Sequence, residues 1–126
     1  MQSKVRLVRS FTGYIYVEGS CDVLIKLLTH LRDGYGRNTA DVNDTLRILN
    51  NFEAFYEIMR RKFKDFISPK KDERDLIKGV VTIDKLKLLK KDGMNYVVLV
   101  LDKKVELNFI SKALSDLGIE FEVVTE

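Results

Sequence analysis

The sequence predicts an α/β fold: a small mixed sheet, built from an N-terminal hairpin and a C-terminal βαβ unit, with a helical insertion between them. Three observations carry this. Tyr96-Val97-Val98-Leu99-Val100-Leu101 is uncharged and half valine, the pattern of a strand buried on both faces and typical of a central parallel strand. Leu107, Ile110, Ala113, Leu114 and Leu117 then fall on one helical stripe, with Gly118 as the stop. Ile119-Glu120-Phe121-Glu122-Val123 alternates apolar and charged, as a half-buried strand does. Strand, helix and strand make a βαβ unit, for which a right-handed crossover is expected.

From the N-terminus, Lys4 to Phe11 and Tyr14 to Glu18 read as strands joined at Thr12-Gly13 in a hairpin. Ser20 can cap a helix whose stripe is Leu24, Leu27, Leu28 and Leu31, ending near Asp33-Gly34. Tyr35-Gly36-Arg37-Asn38 reads as a loop. Thr39 or Asp41 opens a long helix reaching about Ile67, because Val42, Leu46, Leu49, Phe52, Tyr56, Met59, Phe63 and Phe66 recur at intervals of three and four. That seam suits a helix laid across the sheet. Phe55 and Ile48 widen it enough to suit a homodimer interface as well.

Ser68-Pro69, with Asp72 close behind, has the cap, proline and acid of a helix start, and the helix is expected to run to Lys78 before Gly79. Thr82 can cap a further helix to Lys91, closed by Asp92-Gly93. A short strand over Val80 to Ile83 is the competing reading, and periodicity does not separate the two. The helical insertion therefore spans about 39–91 within a single α/β domain, 1–126.

At 126 residues the chain can bury a hydrophobic core without staples. Hydrophobic residues make up 45% and charged residues 33%, the balance of a globular protein rather than a disordered one. No apolar run approaches the roughly 18 residues of a membrane span, and Met1 to Arg6 lacks a signal-peptide core. The lone Cys21 excludes an internal disulfide. These features point to an intracellular, cytoplasmic protein. Gln2 is the only glutamine, while Lys, Glu, Val, Ile and Leu abound, a bias known from hyperthermophile proteins. In this overall usage the chain resembles small proteins encoded by viruses of hyperthermophilic archaea, which would place it in the host cytoplasm. That resemblance transfers no site.

Net charge is only +3 but unevenly placed. From Arg60 to Lys91, twelve Lys and Arg face five acids, whereas from Asp102 to Glu126 six acids face three lysines. The first region suits a polyanion and the second would repel one. The expected helices 68–78 and 82–91 have the outline of a helix-turn-helix. The second has Lys87, Lys90 and Lys91 on one face, with no Arg, Asn or Gln to read bases bidentately. Lysine is a point charge suited to phosphate. Arg60, Arg61, Lys62, Lys64, Lys70, Lys71, Arg74, Lys87 and Lys91 are therefore the candidate nucleic-acid contacts. The same lysines also suit the solvated surface of a thermostable protein.

Tyr16-Val17-Glu18-Gly19-Ser20-Cys21-Asp22 resembles the first motif of Toprim domains, a strand ending in Glu-Gly before a helix. The resemblance implies magnesium held by Glu18, Asp22 and Asp102 for phosphodiester chemistry. In that family the second strand ends in Asp-x-Asp, and here Lys104 stands where the second Asp is expected. Glu18 and Asp102 would meet at one sheet edge if their strands were parallel, and oxygen ligands suit Mg²⁺. Cys21, in the first turn of its helix, is placed where a thiol pKa can fall. His30, nine residues on, lies out of phase with it, so a buried Cys and a surface His are expected. The leading function is a weakly sequence-specific, non-catalytic accessory protein binding DNA or RNA without a cofactor. The alternatives are a Mg²⁺-dependent Toprim-like enzyme and a homo-oligomeric interaction protein.

Overall fold

Residues 4–126 are described by the structure, a computed structural model. Met1 to Ser3, part of the stretch read for a signal peptide, lie outside the described residues. The chain forms β1 (Val5–Arg9), β2 (Ile15–Ser20), α1 (Cys21–Gly34), α2 (Ala40–Asn50), α3 (Phe52–Arg61), α4 (Glu73–Lys78), β3 (Ile83–Lys91), β4 (Met94–Leu101), α5 (Leu107–Asp116) and β5 (Phe121–Thr125). The strands make a five-stranded mixed sheet in the order β3-β4-β2-β1-β5. Only β1 and β5 pair in parallel; every other neighbouring pair is antiparallel. From β2 onward, leaving aside α2 to α4, the elements follow a β-α-β-β-α-β plan, with β1 wedged between β2 and β5.

The N-terminal hairpin forms as expected. Its turn is held by Gly13 at φ 94° and by the Ser10 hydroxyl, which donates to the Tyr14 carbonyl. Ser20 caps α1, its Oγ accepting from the Val23 amide at 3.4 Å. β4 and β5 run in the same direction and are joined through α5, so the C-terminal βαβ unit exists. It crosses over two intervening strands, β2 and β1. The parallel reading of the central strand is overturned: β4 lies between β3 and β2, antiparallel to both. An uncharged run registers burial, which antiparallel neighbours can also supply.

The long helix expected from 39 to 67 is interrupted. Asn51 (φ −122°, ψ 40°) ends α2 and begins α3. Asn50 and Asn51 donate through their side-chain amides to the Leu46 and Arg47 carbonyls, both at 2.9 Å. Asparagine competes in this way with the helical backbone, and it terminates helices where the next turn need not continue. The seam then turns inward. Val42, Leu46, Ile48, Leu49, Phe52 and Met59 join the core, and Ile48, read as part of a homodimer face, is buried within this chain.

The helix-turn-helix is also overturned. Residues 83–91 are β3, and Asp92 (φ 52°) and Gly93 (φ 78°) form the two-residue turn to β4. Positive φ at both positions is the type I′ geometry that matches strand twist. The leucines of this segment fit both periods. Pairing along β4 decides for the strand, because it satisfies the backbone groups of an otherwise bare edge. Ile67 exchanges both backbone hydrogen bonds with Leu86, at 2.8 and 2.9 Å, which extends the chain around Ser68-Pro69 instead of coiling it. The helix expected from 68 shrinks to α4, capped by Asp72, whose Oδ1 accepts from the Arg74 amide. The helical insertion thus ends at Lys78 rather than at 91.

One face of the sheet carries the core. Val5, Leu7, Ile15, Val17, Ile83, Leu86, Leu88, Val97, Leu99 and Leu101 pack with α1, α2, α3 and α5 in one cluster. Asp41, fully buried at the start of α2, accepts through Oδ2 from the Thr82 and Ile83 amides at 2.8 and 2.7 Å, bolting α2 to β3. Val8 and Val100 are buried on the opposite face and lie outside that cluster. Among the described residues, no helix covers that face.

Candidate nucleic-acid interface

Strand alternation decides what the open face presents. On β3 the leucines at 86 and 88 point to the core, so Lys85, Lys87, Leu89 and Lys91 point away from it. A β-bulge at Asp84 sets this phase; its carbonyl accepts from Lys71 Nζ at 2.9 Å. On β4 the same rule puts Tyr96, Val98 and Val100 outward, and on β2 Tyr16 and Glu18. Phe66, one residue before the bridge at Ile67, lies beside β3 on this face.

Rings and cations are interleaved here. Lys85 Nζ sits 4.5 Å from the centroid of Phe66 and Lys87 Nζ 6.0 Å from it. Lys91 Nζ is 5.0 Å from the Tyr96 ring, and at the far end Lys103 Nζ is 4.9 Å from Tyr14. Arg6 adds a further cation between two acids of this face, meeting Glu18 at 4.0 Å and standing in register with Glu122 of β5. Burial and then the Glu18 carboxylate raise the Tyr96 phenol above its ordinary value, so it is neutral at pH 7.

The nine basic residues expected from sequence are divided by the fold. Arg60, Lys64 and Lys87 line one shallow groove with Phe63 at the β3 edge. Lys87 and Lys91 share the open face, while Arg61 and Lys62 stand exposed at the end of α3. The other three belong to the helical side. The Lys70 backbone amide donates to Asp44, Lys71 fills the bulge, and Arg74 pairs with Asp72. Sequence reading missed Lys85, Lys103, Arg6, Phe66, Tyr14, Tyr16 and Tyr96 as members of the site. The signal that could have found the lysines was present: Asp-Gly between two alternating runs is a hairpin mark.

Glu18, Asp22 and Asp102 do not converge. β2 and β4 are antiparallel with Glu18 opposite Val98, which puts Asp102 four residues, or about 13 Å, further along. Asp102 accepts from the Lys104 amide at 2.9 Å, and Asp22 lies exposed in the first turn of α1. Among the described residues no cluster of three His, Cys, Asp or Glu suits a metal ion.

Cys21 is buried and donates to the Leu49 carbonyl. Its thiol is pushed up to about 11 by burial and then by Asp22, which outweigh the helix dipole expected to lower it. His30 is half-buried rather than free on the surface: it packs edge-on against Tyr35 and reaches Asp116 at 3.4 Å. Hydrogen bonds from Tyr35 and then His30 hold the Asp116 carboxyl below its ordinary range. Among the described residues, no helix is long and apolar enough to cross a membrane. No protein-family model, curated protein or solved structure matches the chain, so the interface is defined by its own geometry.

Proposed function

We propose that this protein binds nucleic acid through its phosphates, with little sequence preference, as a non-catalytic accessory protein. The observation that carries the reading is the row Lys85, Lys87 and Lys91 on the open face of β3, with Arg60 and Lys64 at its rim. Arg60 is loosely engaged, its exposed pair with Glu57 contributing little. Lysines hold phosphates as point charges and scarcely discriminate bases. Each phosphate neutralised on duplex DNA lowers log affinity by about 0.9 per log unit of salt through counterion release.

Fluorescence anisotropy of labelled duplex and single-stranded oligonucleotides, taken across a salt series, tests this. Affinity should fall linearly with log salt, and the double variant Lys87→Glu, Lys91→Glu should weaken all sequences alike and flatten the slope. Salt-independent binding, or strong preference for one sequence, contradicts the mechanism. No binding at low salt removes it.

A further inference from the structure

Resting on that reading, we propose that the ligand is single-stranded nucleic acid whose bases stack on Phe66, Tyr96 and Tyr14 while its phosphates take the lysines beside those rings. Three separate places on the open face repeat one unit, an aromatic ring with an ammonium about 5 Å from its centroid: Phe66 with Lys85, Tyr96 with Lys91, and Tyr14 with Lys103. A nucleotide has the same two parts, a flat base and an anion. A lysine held over a ring at an exposed site is held only weakly, so a base can displace it while its charge remains at hand for phosphate.

The spacing favours a strand over a duplex. Counting strand steps and neighbouring strands, Phe66 and Tyr96 stand about 12 Å apart and Tyr96 and Tyr14 about 20 Å. These rings do not stack on one another, and together they track a chain several nucleotides long across β3, β4 and β2. In a duplex the base faces are closed by their neighbours, so only single strands can use such platforms. Every base has a π-face, which keeps this contact tolerant of sequence, as the phosphate contacts are.

The chain offers a clean readout, since it has five tyrosines and no tryptophan. Oligothymidylate and oligouridylate of about 12 nucleotides, within the span of known single-strand sites, should each be compared with a duplex of equal length and with polyphosphate, which has no bases. Single strands should bind more tightly than duplex and quench tyrosine emission; polyphosphate should bind without quenching. Tyr96→Leu and Phe66→Leu should each lower single-strand affinity about ten-fold, leaving duplex and polyphosphate binding unchanged. Equal affinity for strand and duplex, with no quenching and normal binding by both leucine variants, overturns stacking and leaves the phosphate reading standing. No binding to any polyanion overturns both. A dimer by light scattering, with emission unmoved by oligonucleotide, would assign this face to a second copy and likewise overturn the proposal. Should a leucine variant melt early, quenching of the unaltered protein decides.

Discussion

The two sides of β4 meet different surroundings along the same eight residues. Val97, Leu99 and Leu101 are buried in the core cluster, with α1 packed against the strand, whereas Tyr96 and Val98, one residue away, are half-exposed beside lysines. One strand therefore serves two purposes at a period of two. The side under the helices supplies stability through burial. The other side, relieved of core packing, can carry cations and rings that a core would exclude.

The largest effect should separate the two sides in stability. Leu99→Ala removes a fully buried side chain and should cost about 3 kcal/mol in chemical denaturation. Val98→Ala, half-exposed across the strand, should cost about 1 kcal/mol or less. Equal losses would mean that something covers the open side. Asp41→Ala should follow closely, at about 3 kcal/mol, because it orphans two buried amides. Asp41→Asn keeps an acceptor and should retain most of that stability.

Alkaline pH probes the covered side through Cys21. Its folded-state pKa of about 11 lies above the ordinary 9.0, so its contribution is full below about pH 9 and is lost as pH rises through the folded value. The difference in stability between the protein and Cys21→Ala should shrink over that window. Reaction with a disulfide reagent at pH 8 should be slow until the protein unfolds. A fast native thiol would contradict the burial of Cys21.

Phe63 stands where the chain passes from one side to the other. It is 94% exposed, holds φ 51° and follows the end of α3 where glycine is the usual residue. Phe63→Gly should stabilise the fold by about 1 kcal/mol, visible as a melting temperature higher by about 4 °C, and should weaken nucleic-acid binding if the ring lines the groove in use. The smallest effect concerns Glu18, an acid among the cations. Glu18→Gln should tighten oligonucleotide binding about three-fold, the scale of one partly exposed charge. Were Glu18 instead a magnesium ligand, millimolar Mg²⁺ would raise the melting temperature of the protein and not of the variant.

Much of the local structure was legible in the residues themselves. The N-terminal hairpin, the cap at Ser20, the stripe of α5 and the glycine stops at 79 and 118 all follow from backbone preferences that a few adjacent residues settle. So does the burial of Val97, Leu99, Val100 and Leu101, although Tyr96 and Val98, read as part of a strand buried on both faces, stand half-exposed. The charge asymmetry was legible too, though not its placement.

Tertiary structure alone decided the rest. Residues 82 to 91 can satisfy a helix or a strand, and the choice fell to β4, whose backbone groups needed a partner over the whole length of the strand. That choice turned Lys85 from a residue among leucines into a neighbour of Lys87 on one face, and brought Phe66 alongside through a single bridge. Strand direction was equally invisible: Glu18 and Asp102 end their strands in the same manner in sequence, and antiparallel pairing sends them apart. Propensity acts over a few residues, whereas which strand lies beside which, and which face the helices cover, depends on where the whole chain can bury its apolar surface.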